Sequence, residues 1–148
     1  MVSKLLNEGI VDQIREVFTQ LDQPVAILYF GRKTDCDYCA ETSQLVEEVT
    51  AISDKLSLKK YDLDDDATVA ARYHVDKAPG MVLAGLDGDR IVDYGIRFAG
   101  IPSGHEFSSL IHDLLLVSSR DSGLDAQTRQ FLQDLKQPVL LQVFVTPT

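Results

Sequence analysis

The sequence predicts an α/β fold in which a central mixed four-stranded sheet is flanked by helices. Apolar residues recur at helical spacing in several segments, and short apolar runs suited to strands lie between them. A Cys-x-x-Cys motif follows the first such run. The chain has 148 residues, which is enough for one well-packed domain and too few for two of full size.

Composition narrows the possible partners and location. A net charge of -9 and a pI near 4.6 argue against nucleic acid and anionic membranes as partners. No apolar run reaches the roughly 18–20 residues needed to cross a bilayer. The first nine residues lack the long apolar stretch and small-residue cleavage site of a signal peptide. We therefore expect a cytoplasmic location.

The first third of the chain predicts a helix, a buried strand and a second helix. Apolar residues at helical spacing indicate an amphipathic helix over about 3–21, which Pro24 ends. The run 25–30 is almost wholly apolar, as expected of a strand buried on both faces of a sheet. After a polar loop, the spacing of apolar residues predicts a helix from 37 to about 53.

The middle of the chain predicts two further helices and three strands. Asp87-Gly88 is a hairpin turn signal that joins the last two strands. In order, we expect a strand at 56–63, an acidic loop at 64–66, a short helix at 67–73, strands at 81–84 and 90–96, and a helix at 104–117. Without the first helix, the order β-α-β-α-β-β-α is that of the thioredoxin fold.

The C-terminal tail repeats the beginning of the chain. After a linker at 120–123 we expect a helix at 125–136 and a strand at 139–145. A shift of 114 positions overlays the tail on the N-terminus with eight identities in twenty-four positions, including Gln-Pro-Val twice. We therefore expect one thioredoxin-fold unit at 1–118, followed at 119–148 by the linker, helix and strand that begin a truncated second unit.

The motif Cys36-Asp37-Tyr38-Cys39 lies after a predicted strand, at the start of a predicted helix. Residues three apart on a helix have Cβ atoms roughly 5–6 Å apart, close enough for a disulfide after small adjustment. Free N–H groups and the helix dipole favour a thiolate at the first position. We therefore expect Cys36 to be the nucleophile and Cys39 to be the resolving thiol.

Charged neighbours act on this pair in opposite directions. Arg32 and Lys33 favour ionisation of Cys36, whereas Asp35 and Asp37 oppose it. The sequence therefore does not determine the reduction potential of the pair.

Two other interpretations of the cysteines remain. They can be neighbours in a buried helix without a redox role. They can also be half of a structural zinc site, which would need His74, His105 or His112, and no two of these have His-x-x-x-His spacing. We predict neither a metal nor another cofactor.

Pro79 precedes an apolar strand, the place where thioredoxin folds carry a cis proline. In that conformation the backbone of Ala78 faces the cysteines and can pair with an extended substrate strand. A trans proline that only starts the strand is the alternative. Ala78, Pro79 and Tyr38 are the candidate substrate-binding residues.

Several stretches together resemble the glutaredoxin-like protein disulfide oxidoreductases. They are the Cys36–Cys39 motif, Lys77-Ala78-Pro79, the segment 97–107 with its Gly-x-Pro-x-Gly-His-Glu-Phe sequence, and the closing segment 143–148. The resemblance implies two thioredoxin-fold units in tandem, each with its own Cys-x-x-Cys. It also implies disulfide exchange on cytosolic proteins, recharged by an unidentified reductase.

The cysteines of a second unit are absent, which predicts low activity. A redox-weak peptide-binding module is the alternative function. The unpaired strand 139–145 predicts either addition to the edge of the first sheet or self-association.

Overall fold

A computed structural model describes residues 3–146. The first eight elements follow the predicted order α-β-α-β-α-β-β-α, and a fifth helix lies in the tail. They are α1 (Glu8–Phe18), β1 (Val25–Gly31), α2 (Cys39–Thr50), β2 (Leu56–Asp62), α3 (Ala67–Arg72), β3 (Gly80–Asp87), β4 (Arg90–Ala99), α4 (His105–Ser119) and α5 (Ala126–Gln133).

The four strands form one mixed sheet in the order β2-β1-β3-β4, which confirms the predicted fold class. Strand β1 runs parallel to β2 and antiparallel to β3, which pairs antiparallel with β4. Between Leu83 and Ala84 the register jumps from Ile96 to Asp93. The two extra residues of β4 include Gly95, whose φ of 82° suits a glycine.

Helices cover both faces of the sheet, so strand β1 is buried along its whole length. Its alternate residues Val25, Ile27 and Tyr29 pack in one cluster with apolar residues of α1, α2 and α4. The intervening residues pack in a second cluster with α3. A strand covered on both faces needs apolar side chains at every position, which explains the continuous apolar run.

The ends of several elements differ from the predicted ones. Helix α1 is shorter than predicted because Asn7 caps it, accepting a hydrogen bond from the backbone N–H of Ile10. Helix α2 begins at Cys39, two residues later than predicted. Strands β3 and β4 are longer than predicted, since each continues as far as its partner offers hydrogen bonds.

The predicted strand at 139–145 does not form, and this prediction was wrong. Helix α5 forms, with the Asp125 side chain accepting a hydrogen bond from the N–H of Thr128 at 2.7 Å. Beyond it, residues 138–146 have no regular structure and are exposed. Apolar sequence alone does not make a strand; it also needs a partner, and the tail joins neither edge of the sheet.

Within residues 3–146, no helix combines the length and apolar character needed to span a bilayer.

Candidate functional site

A disulfide joins Cys36 to Cys39, with a Cα–Cα distance of 5.5 Å. Cys39 is the first residue of α2 and is only 7% exposed, whereas Cys36 is half-buried. The sequence predicts Cys36 at the start of the helix, but it lies in the loop before it. Of the two sulfur-bearing residues, the one in the loop is therefore the more accessible to a second molecule.

The pairing of the strands brings three connections to one end of the sheet. Strand β1 ends where Phe30 pairs with Gly80 and Gly31 pairs with Asp62. Because β2 is parallel and β3 antiparallel to β1, the loop after β1, the loop after β2 and the residues before β3 meet there. The cysteine loop and Pro79 consequently share this end of the fold.

The peptide bond between Ala78 and Pro79 is cis, as predicted. Pro79 is buried, and its carbonyl accepts a hydrogen bond from the N–H of Gly100 at 2.8 Å. Neither the N–H nor the carbonyl of Ala78 has a partner within residues 3–146. This short stretch therefore has backbone groups available to pair with an extended peptide.

The cations beside the cysteines are already paired with the acidic loop. Arg32 donates to both carboxylate oxygens of Asp64, at 2.8 and 3.1 Å, and Lys33 pairs with Asp65. The hydrogen bond to Asp64 is the main cause of a raised pKa for Arg32. These contacts tie the loop after β1 to the loop after β2, so both cations have acidic partners of their own.

Two buried hydroxyl groups near Cys39 are not predicted from the sequence. The Tyr29 hydroxyl donates to the Cys39 carbonyl at 2.7 Å, and burial raises the pKa of Tyr29. The Thr42 hydroxyl is buried and has no hydrogen-bond partner within the described chain. In the sequence, Tyr29 is one residue of the apolar run of β1, and Thr42 is one of several polar residues of α2. Neither position marks the residue as a buried hydroxyl near Cys39.

Gly31 explains how the Tyr29 ring fits beneath the loop. A Cβ atom at this position would lie 2.7 Å from the Tyr29 hydroxyl and 2.9 Å from the ring. A side chain here would displace the tyrosine, which is a physical reason for glycine at the end of β1.

The remaining predicted site residue, Tyr38, occupies the N-cap position of α2 without a side-chain capping hydrogen bond, and it is 56% exposed. Within residues 3–146, no three His, Cys, Asp or Glu side chains are grouped as metal ligands would be.

Two known proteins are similar to this chain, one in sequence and one in structure. The chain is 30% identical over 122 residues to AhpF, a component of alkyl hydroperoxide reductase, from Pseudomonas aeruginosa, covering 82% of this chain and 20% of that protein. A protein disulfide oxidoreductase from Aeropyrum pernix superposes with a TM-score of 0.76 and 25% identity, over 92% of this chain and 57% of the other. No protein-family model matches.

A domain of AhpF from another bacterium is also similar in structure to this chain. The NTD_N/C domain of alkyl hydroperoxide reductase AhpF from Enterococcus faecalis has a TM-score of 0.73 and 28% identity, over 84% of this chain and 58% of that chain. This chain therefore spans about a fifth of the curated relative and somewhat more than half of the solved structures.

Fold and site together define a thioredoxin-fold chain with a Cys-x-x-Cys disulfide at the end of its central strand. The chain is similar both to a protein disulfide oxidoreductase and to AhpF, of which it matches only a part.

Proposed function

We propose that this protein exchanges dithiols for disulfides on other proteins, with Cys36 as the nucleophile and Cys39 as the resolving residue. The observation that carries the proposal is the unequal exposure of the two cysteines in one disulfide: Cys36 is half-buried in a loop and Cys39 is almost fully buried in α2. Only the more accessible sulfur can readily meet the sulfur of a large substrate.

The reaction proceeds in two exchanges. In the reduced protein, the Cys36 thiolate attacks one sulfur of a substrate disulfide, forms a mixed disulfide and releases the other substrate sulfur as a thiolate. Cys39, as its thiolate, then attacks Cys36, which restores the Cys36–Cys39 bond and releases the second substrate sulfur. The substrate gains two electrons and, after protonation, two thiols; the protein loses both electrons. A separate protein reductase, of unknown identity, would return them.

Ala78, Pro79 and Tyr38 are the proposed substrate contacts. The free backbone groups of Ala78 support pairing with an extended segment of the substrate, and the exposed Tyr38 ring supports contact beside the attacked bond. The proposed location is the cytoplasm, the same location that the sequence predicts.

Trapping the mixed disulfide tests this proposal. Reduced Cys39→Ser protein mixed with native, disulfide-bonded insulin should give a covalent adduct of one protein chain with one insulin molecule, seen by mass spectrometry without reductant. Cys36→Ser is the matched control and should give at least tenfold less adduct. Equal adduct from both variants would contradict the assigned roles, because either sulfur would then reach the substrate.

A redox-weak module that binds peptides at Ala78 and Pro79 is the second candidate. The pairing of Arg32 and Lys33 with acidic residues favours it, because those cations are not free to stabilise a Cys36 thiolate. Such a module would bind peptides without forming the adduct, so the trapping experiment also separates the two functions.

We also propose that residues 119–148 begin a second thioredoxin-fold unit and promote self-association of this chain. The internal repeat supports the first point, and the exposure of Leu141 and Phe144, at 85% and 90%, supports the second. Their counterparts in the repeat, Ile27 and Phe30, are fully buried in strand β1.

A further inference from the structure

Thr42 is the only hydroxyl-bearing residue in the buried stripe of helix α2. The other buried residues of this helix are Cys39, Leu45, Val46 and Val49. Thr42 is fully buried, and its Oγ1 atom has no hydrogen-bond partner within residues 3–146. Burying a hydroxyl group without a hydrogen-bond partner costs free energy, because the group loses its bonds to water and gains none in the protein. Such groups are rare in folded proteins and need an explanation.

The Thr42 hydroxyl does not make the bond that is usual for a helical threonine. Such a hydroxyl normally donates to a carbonyl three or four residues earlier. Here the carbonyl three residues earlier, that of Cys39, accepts the Tyr29 hydroxyl at 2.7 Å, and Thr42 Oγ1 donates to neither carbonyl. Thr50 of the same helix shows the ordinary arrangement, donating to the Val46 carbonyl at 2.8 Å.

Among the other buried residues of α2, the one whose side chain can accept a hydrogen bond is Cys39, three residues before Thr42. In this structure its sulfur is bonded to Cys36 and is a weak acceptor. Reduction turns that sulfur into a thiol or thiolate, and a thiolate is a much stronger acceptor because it is charged. Both residues are buried, which strengthens such a bond by excluding water.

We propose that Thr42 is a positioning residue whose hydroxyl donates to the Cys39 sulfur once the disulfide has been reduced. The hydroxyl lacks a partner in the oxidised protein and gains one in the reduced protein, so it favours the dithiol state. This inference rests on the proposed exchange function. By stabilising the dithiol state, the Thr42 hydroxyl would raise the reduction potential of the cysteine pair and so make the pair a stronger oxidant.

Glutathione provides a balanced equilibrium in which to measure the effect. Two glutathione thiols give up two electrons and form glutathione disulfide, while the Cys36–Cys39 bond breaks. Each of the two protons released ends on a cysteine thiol or, where that cysteine stays a thiolate, in the solvent. The Thr42 proton stays on its hydroxyl throughout. The ratio of oxidised to reduced protein at a fixed glutathione composition then reports the stability of one state against the other.

Thr42→Val removes the hydroxyl and keeps the shape of the side chain. We expect the oxidised-to-reduced ratio to rise about threefold to tenfold, the net effect of one hydrogen bond present in only one state. Thr42→Ala should shift the ratio in the same direction and guards against a packing effect of valine. Thr42→Ser keeps the donor and should stay within about twofold of the unmodified protein.

Thr50→Val is the matched control, because it makes the same change in the same helix at a hydroxyl that already has a partner. It should leave the ratio unchanged. If the unmodified pair titrates but Thr42→Val and Thr42→Ala leave the ratio unchanged or lower it, the role of Thr42 is wrong and the exchange function stands. If the unmodified pair does not titrate at all, the exchange function itself fails.

Discussion

The Tyr29 hydroxyl links strand β1 to the first residue of helix α2. Its hydrogen bond to the Cys39 carbonyl is buried, and burial raises the pKa of Tyr29, so the hydroxyl keeps its proton and remains a donor at neutral pH. Gly31 leaves room for the ring. These residues hold the buried cysteine against the centre of the sheet, while the loop carrying Cys36 is held by ion pairs at the surface.

Removing this hydroxyl should weaken the fold. We expect Tyr29→Phe to lower the free energy of unfolding of the oxidised protein by about 1 kcal/mol, because the buried carbonyl of Cys39 loses a donor. Urea denaturation followed by circular dichroism measures the change. Tyr94→Phe is the control, since the Tyr94 side chain is 48% exposed, and it should change stability by less than about 0.5 kcal/mol. Equal effects of the two substitutions would show that the Tyr29 bond contributes nothing.

At the scale of elements, the sequence predicts the main unit well because its patterns are strong. The continuous apolar run of β1 predicts a central strand, and the spacing of α4 predicts its buried face; both are confirmed. The predicted start of α2 is less accurate because it depends on loop geometry. Asp35 has a φ of 53°, a left-handed conformation that nothing in the residue order requires.

Long-range contacts explain what the sequence could not predict at the site. The pairing of Arg32 with Asp64 joins residues far apart in the chain, and only the parallel register of β1 and β2 brings them together. The buried bond of the Cys39 carbonyl likewise comes from Tyr29, on another element. The predicted strand at 139–145 failed for the same reason, since strands need partners that the local sequence does not specify.

The tail adds little to the main unit, and this can be tested by deletion. No residue of α5 is buried, and residues 129–146 are exposed. We expect a chain ending at residue 124 to keep its melting temperature within about 2 °C, because the two core clusters remain complete. As a reference, Leu114→Ala in the full chain removes a fully buried side chain. We expect it to lower the free energy of unfolding by about 2–5 kcal/mol, and with it the melting temperature.

The deletion result also tests the proposed division into two units. A melting temperature that falls as far as in Leu114→Ala would mean that the tail belongs to the first unit after all.

At the scale of the whole molecule, exposed apolar residues are concentrated in the tail rather than spread over the surface. Val139, Leu140, Leu141, Val143 and Phe144 are between 62% and 90% exposed. A contiguous apolar segment of this kind is unusual on the surface of a monomer. A second copy of the chain, which offers the same segment, is the proposed partner.

Light scattering across a range of concentrations tests this association. We expect the mean mass to rise with concentration, and the double variant Leu141→Asp with Phe144→Asp to remain near the 16.4 kDa of one chain. Gln142→Asp is the control, since it adds charge to the same segment without removing an apolar side chain. A constant monomer mass for the unmodified protein would contradict the proposal.

Equilibrium titration in glutathione buffers shows whether Cys36 and Cys39 form an exchange-competent redox pair. Alkylation of free thiols followed by mass spectrometry counts the reduced and oxidised molecules at each buffer composition. We predict a single two-electron transition between about -120 and -270 mV, the span of known dithiol exchange proteins. Thiols that remain unpaired across that whole range would contradict it and would favour the peptide-binding module.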